Sequence, residues 1–233
     1  MAKVFLGVGH GGRDSGAVGH LIEKDVNLVE ALACRDFLQT HGVEVLMSRT
    51  SDEDDPLTDE IKECNAFSPD LAIDCHNSAG QGDGFEIYYH FKGGTSLTLA
   101  QNIETEVKAI GQNSRGCKTR MNSSGRDYFG FIRETKCPAV ICEGCFVDNA
   151  EDTKIADTIE KQKAFGIAYA KGILKTLGIA IKESSSQGTQ QGNSNREAKY
   201  YVQVGAYSQK ENAERQLQNV KNAGFPDAFI KEF

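Results

Sequence analysis

Three residues able to move protons or hold a metal follow short apolar runs: His10 after Lys3–Val8, His76 after Leu71–Cys75 and Glu143 after Ala139–Cys142. Runs of this length with β-branched and aromatic content predict strands. In an open parallel sheet the carboxyl ends of the strands line one edge, and ligands bind along it. One crevice would then receive two imidazoles and a carboxylate from three separate loops. Two neutral imidazoles can bind Zn²⁺, but a catalytic zinc usually takes a third protein ligand. The Gly-rich loop Gly11 to Ile22 offers two candidates, His20 within it and Glu23 just after it. A carboxylate opening a helix also complements the helix dipole, so Glu23 has a structural explanation too.

A thiol hydrolase is the rival chemistry, with Cys75 or Cys142 paired to a histidine. Neighbouring residues on a strand point to opposite faces, so both thiols are expected to turn away from the crevice and pack in the core. Seven cysteines, an odd number, fit free thiols in a reducing interior, although Cys142 and Cys145 form a lone CxxC.

The elements that must position these groups alternate. Strands are predicted at Lys3–Val8, Val43–Met47, Leu71–Cys75, Phe85–Tyr89 and Ala139–Cys142. Helices are predicted over Asn27–Gln39, over the stretch holding Ile103, Val107 and Ile110, and over that holding Phe165, Tyr169 and Ile173. This alternation implies an α/β fold with an open, mainly parallel sheet and helices on both faces. The stretch Glu183–Asn195 contains no apolar residue and reads as a flexible linker. From Arg196 onward six basic residues meet five acidic ones, whereas the rest of the chain holds 20 against 28. We therefore expect domains at 1–180 and 199–233, joined by residues 181–198.

At 233 residues and a formal net charge of -7, the chain lacks the basic field of a nucleic-acid binder. No stretch approaches the roughly 18 consecutive apolar residues of a membrane span. The opening Met-Ala-Lys runs straight into the first predicted strand, so synthesis in the cytoplasm without a signal peptide is expected.

The segments Gly9-His-Gly-Gly-Arg-Asp-Ser-Gly-Ala-Val-Gly19, Glu23-Lys-Asp-Val-Asn-Leu28, Asp74-Cys-His-Asn-Ser78 and Pro138-Ala-Val-Ile-Cys-Glu-Gly-Cys-Phe-Val-Asp-Asn149 together resemble, in order and spacing, the zinc-dependent N-acetylmuramoyl-L-alanine amidases of the amidase_3 family. The resemblance covers about residues 1 to 178 and implies a phosphorylase/hydrolase-like α/β fold. It also implies that His10, Glu23 and His76 ligate Zn²⁺, with Glu143 the catalytic carboxylate and peptidoglycan the substrate. The family often has Ala-Asn where this chain has Asn77 and Ser78, and Leu-Gly-Phe where it has Gly144, Cys145 and Phe146. Those departures bear on substrate preference. Asn77, Arg133 and Arg126 are the expected substrate contacts. Arg49 could likewise anchor a substrate carboxylate, or pair with Asp52, Asp54 or Asp55. Lys118, Arg120 and Arg126 give the stretch Ser114–Tyr128 a local basic character, which suits a peptide carboxylate or phosphate but reads first as a plain solvated loop. His41 and His90 are expected to be surface or packing residues.

The tail reads as a small βαβ unit: Tyr201, Val202 and Val204 in a strand, Glu211–Ala223 as a helix, then Ala228, Phe229 and Ile230 in a strand. Tyr200-Tyr-Val-Gln-Val-Gly-Ala-Tyr-Ser208 resembles one half of a SPOR repeat, which implies a peptidoglycan-binding module. A single half leaves strand edges unpaired, so a homodimer through residues 199–233 is expected. Without a signal peptide, such an enzyme reaches the cell wall as a phage or prophage endolysin released through a holin, or as a mother-cell autolysin when a sporulating cell lyses. The first is favoured, because a minimal catalytic domain with one small wall-binding unit is the common endolysin layout. A zinc peptidase cutting within the stem peptide is the remaining alternative.

Overall fold

The computed structural model describes residues 1–182 together with Lys210, Ala213, Glu214, Gln216, Leu217, Lys221 and Ile230. The chain divides into two units, Met1–Ser184 and Ser185–Phe233. In the second unit all the described residues from Lys210 to Lys221 are helical, as the apolar spacing predicts, while Ile230 carries no strand. The linker and the other strand residues of the tail lie outside the described residues.

The first unit is a six-stranded sheet in the order β2-β1-β3-β6-β4-β5. Its strands are β1 (Lys3–Val8), β2 (Glu44–Met47), β3 (Leu71–Ser78), β4 (Phe85–Tyr89), β5 (Ser114–Lys118) and β6 (Ala139–Phe146). Its helices are α1 (Glu23–Thr40), α2 (Leu57–Phe67), α3 (Thr95–Ala109), α4 (Gly130–Glu134) and α5 (Ile159–Leu177). All neighbours pair parallel except β4 with β6. The mainly parallel α/β sheet is thus as the alternation implied, with one reversed seam.

Strand alternation sorts the residues of β1 onto two faces. Val4, Leu6 and Val8 join the larger core with Ala31 and Leu38 of α1, Ile103 of α3, and Phe165 and Tyr169 of α5. Phe5 turns the other way, into a smaller core with Cys64 of α2, Phe131 of α4, Ala72 and Ile141. On this second side α2 and α4 pack over Phe5, Ala72 and Ile141, residues nearer the strand starts than His76 and Glu143. On the first side α1 and α5 approach closely at Gly166, where a Cβ would stand 2.0 Å from the Glu30 carbonyl oxygen. Thr158 caps α5 by accepting from the Lys161 N–H, and Gly178 ends it in the left-handed conformation.

Candidate metal centre and the neighbouring carboxylate

The polar ends of β3 and β6 stay in the sheet. Both strands run past the apolar runs that predict them, to Ser78 and Phe146. His76 and Glu143 therefore sit inside paired strands, directly opposite one another, and not in loops beyond the edge as the sequence suggested. The reason is that backbone pairing needs no apolar side chain, and this face of the strands is left open for polar ones.

His10 follows β1 at φ 63, a left-handed conformation that costs a non-glycine residue about 1–3 kcal/mol. Gly9 before it lets the backbone pass the His76 ring, because a Cβ there would lie 2.2 Å from His76 Cε1. Glu23 opens α1 and is locked to the loop before it: its N–H donates to the Ala17 carbonyl at 3.0 Å, and its Oε2 accepts from the Ala17 N–H at 2.8 Å. Its Oε1 accepts from the Asn77 N–H at 3.1 Å, and lies 3.0 Å from His76 Nδ1 and 3.3 Å from His10 Nε2. One donor atom from each of His10, Glu23 and His76 falls within 4.8 Å of the others.

The outer nitrogens of both imidazoles are spoken for. His10 Nδ1 lies 2.9 Å from Asp14 Oδ2, and His76 Nε2 lies 3.2 Å from Asp74 Oδ2. On a neutral ring each carboxylate would hold the proton on the outer nitrogen and leave the inner lone pair for a metal, the arrangement that orients histidine ligands. The hydrogen bond to Glu23 leads in lifting His10 above the usual imidazole range. Burial acts against the charge of His76, yet Asp74 and Glu23 outweigh it and raise that group well above the ordinary value. Glu23 is opposed by burial too, but its two histidine partners hold it far below the usual carboxylate range.

Glu143 accepts from Ser78 Oγ at 3.0 Å. Burial first, and then the Glu23 charge, push its carboxyl up to about 7 against the pull of His76. A carboxylate poised near neutrality beside a metal-binding set is suited to shuttle one proton.

The other expected residues divide. Cys75 and Cys142 are fully buried in the larger core, away from His76, which disposes of the thiol reading. His20 is exposed and engages Val147 through its backbone. His90 pairs with Asp127 and His41 with the Phe37 carbonyl, as packing residues do. Asn77 is only 3% exposed, and its amide is held by Asn27 and the Cys145 N–H. It supports the site from beneath and has nothing left for substrate. Arg49 is also buried, donating to the carbonyls of Val8, Ser51 and Lys24. It clamps the loop after β1 and takes neither of its expected roles. Arg133 spends its guanidinium on the carbonyls of Asp127 and Tyr128 and on Glu134, with Arg126 beside the same carboxylate. Both belong to the segment around α4, at the end of the sheet where β6 begins. Of the basic stretch, Arg120 stacks on Tyr128 at 3.7 Å, while Lys118 and Arg115, the latter not singled out from sequence, turn to Glu86.

Residues 4–175 match the family model described as N-acetylmuramoyl-L-alanine amidase, amidase_3, and residues 197–232 match the SPOR domain model. The chain is 34% identical to the sporulation-specific N-acetylmuramoyl-L-alanine amidase of Bacillus subtilis (strain 168), across 97% of its own length and 83% of that protein. It is 31% identical to the endolysin of Bacillus phage SPP1, across 80% of its length and 70% of the endolysin. Among solved structures, Cwp6 from Clostridium difficile is similar with a TM-score of 0.74 and 35% identity, over 76% of this chain and 29% of that one. The catalytic domain of CwlV, an N-acetylmuramoyl-L-alanine amidase from Bacillus (Paenibacillus) polymyxa, gives 0.69 and 27%, over 77% of this chain and all of that one.

Proposed function

Since the chain belongs to the amidase_3 family of N-acetylmuramoyl-L-alanine amidases, and is a peptidoglycan amidase on that ground, we propose that it hydrolyses the bond between N-acetylmuramic acid and L-alanine with zinc held by His10, Glu23 and His76. The observation that carries this is the donor set itself. Two nitrogens and one carboxylate oxygen converge, and both imidazoles are backed by carboxylates. That is the chemistry of a catalytic zinc site, which takes three protein donors and keeps one position for water or substrate. Zinc bound there supplies a Lewis acid for the scissile carbonyl and acidifies the attacking water. Glu143 takes a proton from that water and returns it to the leaving alanine nitrogen. Asp14 and Asp74 hold the two imidazoles in the tautomers this requires.

Mass spectrometry of digested peptidoglycan tests the reading: new amino groups on L-alanine together with peptide-free glycan are expected. New termini inside the stem peptide would favour the peptidase. On cellular role, the relatives aligned across 97% and 99% of this chain are the sporulation-specific amidase and the amidase CwlM of Bacillus licheniformis, against 80% for the endolysin. That favours release of a mother-cell autolysin at lysis over the endolysin role first expected, with the SPOR segment holding the enzyme on glycan. Among the described residues no helix is long and apolar enough to cross a membrane. The homodimer through residues 199–233 stays a proposal, tested by the solution mass of the full chain against that of residues 1–182.

A further inference from the structure

We propose that Lys118 and Arg115 form a subsite for a carboxylate on the stem-peptide residue next to the L-alanine, a reading that rests on the amidase function above. The register of the sheet sets it beside the hydrolytic group. His76 pairs opposite Glu143, and Glu143 opposite Glu86. Residues opposite one another share a face, so the three form a row across β3, β6 and β4.

Glu86 is 7% exposed and collects every donor around it. Its Oε1 accepts from Arg115 Nε and, at 2.6 Å, from Lys118 Nζ, while its Oε2 accepts from the Tyr88 hydroxyl at 3.0 Å. One carboxylate thus faces two cations, so the ledge itself keeps one positive charge in excess, with Glu143 the neighbouring carboxylate across the strand pair. The side chains of Lys118 and Arg115 are 32% and 42% exposed, which leaves N–H groups turned to solvent. The Arg115 guanidinium also lies 5.2 Å from the Phe146 ring. Cations fixed by a buried anchor lose little freedom on meeting an anion, and a guanidinium beside an ammonium is suited to a carboxylate.

The spacing fits the reaction. Neighbouring strands lie about 4.8 Å apart, so the ledge begins one strand from Glu143 and ends two strands away, at about 10 Å. Peptide advances at most about 3.5 Å per residue. Lys118 Nζ and Arg115 Nε both meet Glu86 Oε1 on β4, one strand from Glu143. A carboxylate one residue beyond the cut amide adds roughly 2–3 Å of its own to that advance, and so reaches the near end of the ledge while the alanine nitrogen lies at Glu143.

The experiment uses the full chain loaded with zinc and two synthetic muramoyl peptides. They differ only in whether the second residue carries a free carboxylate or a primary amide. Wild type should show a KM for the carboxylate about 10-fold lower or more, and Lys118→Ala should bring that preference toward one. Arg115→Ala should act in the same direction, and Lys118→Arg should restore part of the preference. Salt should weaken the wild-type preference, since the subsite is partly exposed. Zinc content and the circular dichroism spectrum identify a variant that fails to fold, in which case the wild-type ratio and its salt dependence decide. Wild type indifferent to the carboxylate, or variants that keep the preference, would overturn the subsite. Wild type that cleaves neither peptide would instead overturn the amidase reading beneath it.

Discussion

The backbone N–H of Asn77 donates to Glu23 Oε1 at 3.1 Å while its side chain joins Asn27 and the Cys145 N–H, each at 2.9 Å. Asn77 thus ties β3 to α1 and β6 directly beneath the metal donors. Asn77→Ala should lose about 2–3 kcal/mol in a denaturant titration, because buried partners are left unsatisfied. The backbone N–H that supports Glu23 survives this change, so zinc affinity should fall by less than about 10-fold in a competition against a chelator. A higher KM at unchanged zinc affinity would return Asn77 to the substrate role first expected of it.

Glu143→Gln keeps the shape of the side chain and removes its basicity. Zinc content should match wild type while kcat falls about 10²- to 10⁴-fold. The pH profile carries a sign as well. With its carboxyl raised to about 7, Glu143 is the active base only above that value, so kcat/KM should fall about tenfold per unit on the acid side. A bound cation favours the ionised form and moves this limb to a lower pH. A profile flat from pH 8 to 4 would place the base elsewhere.

Chelation should abolish hydrolysis and added Zn²⁺ should restore it, whereas the fold should survive. The loop and strand ends around the donors are held by the chain itself, through Ala17 on Glu23, Arg49 on the Val8 carbonyl and Asn27 on the Gly9 carbonyl. Circular dichroism of chelated protein should therefore overlay that of the loaded form. His10→Ala and His76→Ala should each lower zinc content, and full activity of verified metal-free protein would sink the mechanism.

All seven cysteines are free, and alkylation after denaturation from a reducing buffer should label every one. Cys142 and Cys145 lie three residues apart along one strand, which separates their Cα atoms by about 10 Å, beyond disulfide reach. Cys137 packs against the smaller core that holds Cys64, and its thiol together with burial pushes the Cys64 thiol far above its ordinary range. Mild oxidation followed by peptide mapping should find Cys64–Cys137 ahead of any other pair, and a Cys142–Cys145 crosslink would contradict the strand geometry.

The sequence made His10, His76 and Glu143 legible because each interrupts or ends an apolar run that must be a strand. Glu23 stood level with His20 until the family resemblance separated them, since a first-turn carboxylate is common for reasons unrelated to metals. Other elements left little trace. In α2 the buried residues are Glu60 and Cys64, so its inner face does not read as an apolar stripe. β5, Ser-Arg-Gly-Cys-Lys, is an edge strand without an apolar run, and its basic residues looked like a solvated loop. The direction of β4 was equally silent, because a run of five residues buried at its start on both faces does not say which way it runs beside its neighbours. Arg49 misled for another reason: charge suggests an ion pair, but carbonyl oxygens, which every residue carries, can occupy a buried guanidinium.

The reversed seam between β6 and β4 has a bearing on descent. β1, β3 and β6, with the start of α1, carry the metal donors and Glu143, whereas Glu86, Lys118 and Arg115 lie within residues 85–118. Along the seam itself the two strands are joined by backbone hydrogen bonds, which are indifferent to most changes of side chain, while side chains such as Arg115 and Phe146 meet across it. If the ledge is the subsite proposed above, inherited variation within that short contiguous stretch can retune which wall chemistry is accepted while His10, Glu23, His76 and Glu143 persist. A lineage can thus follow changes in its own wall without passing through an inactive ancestor.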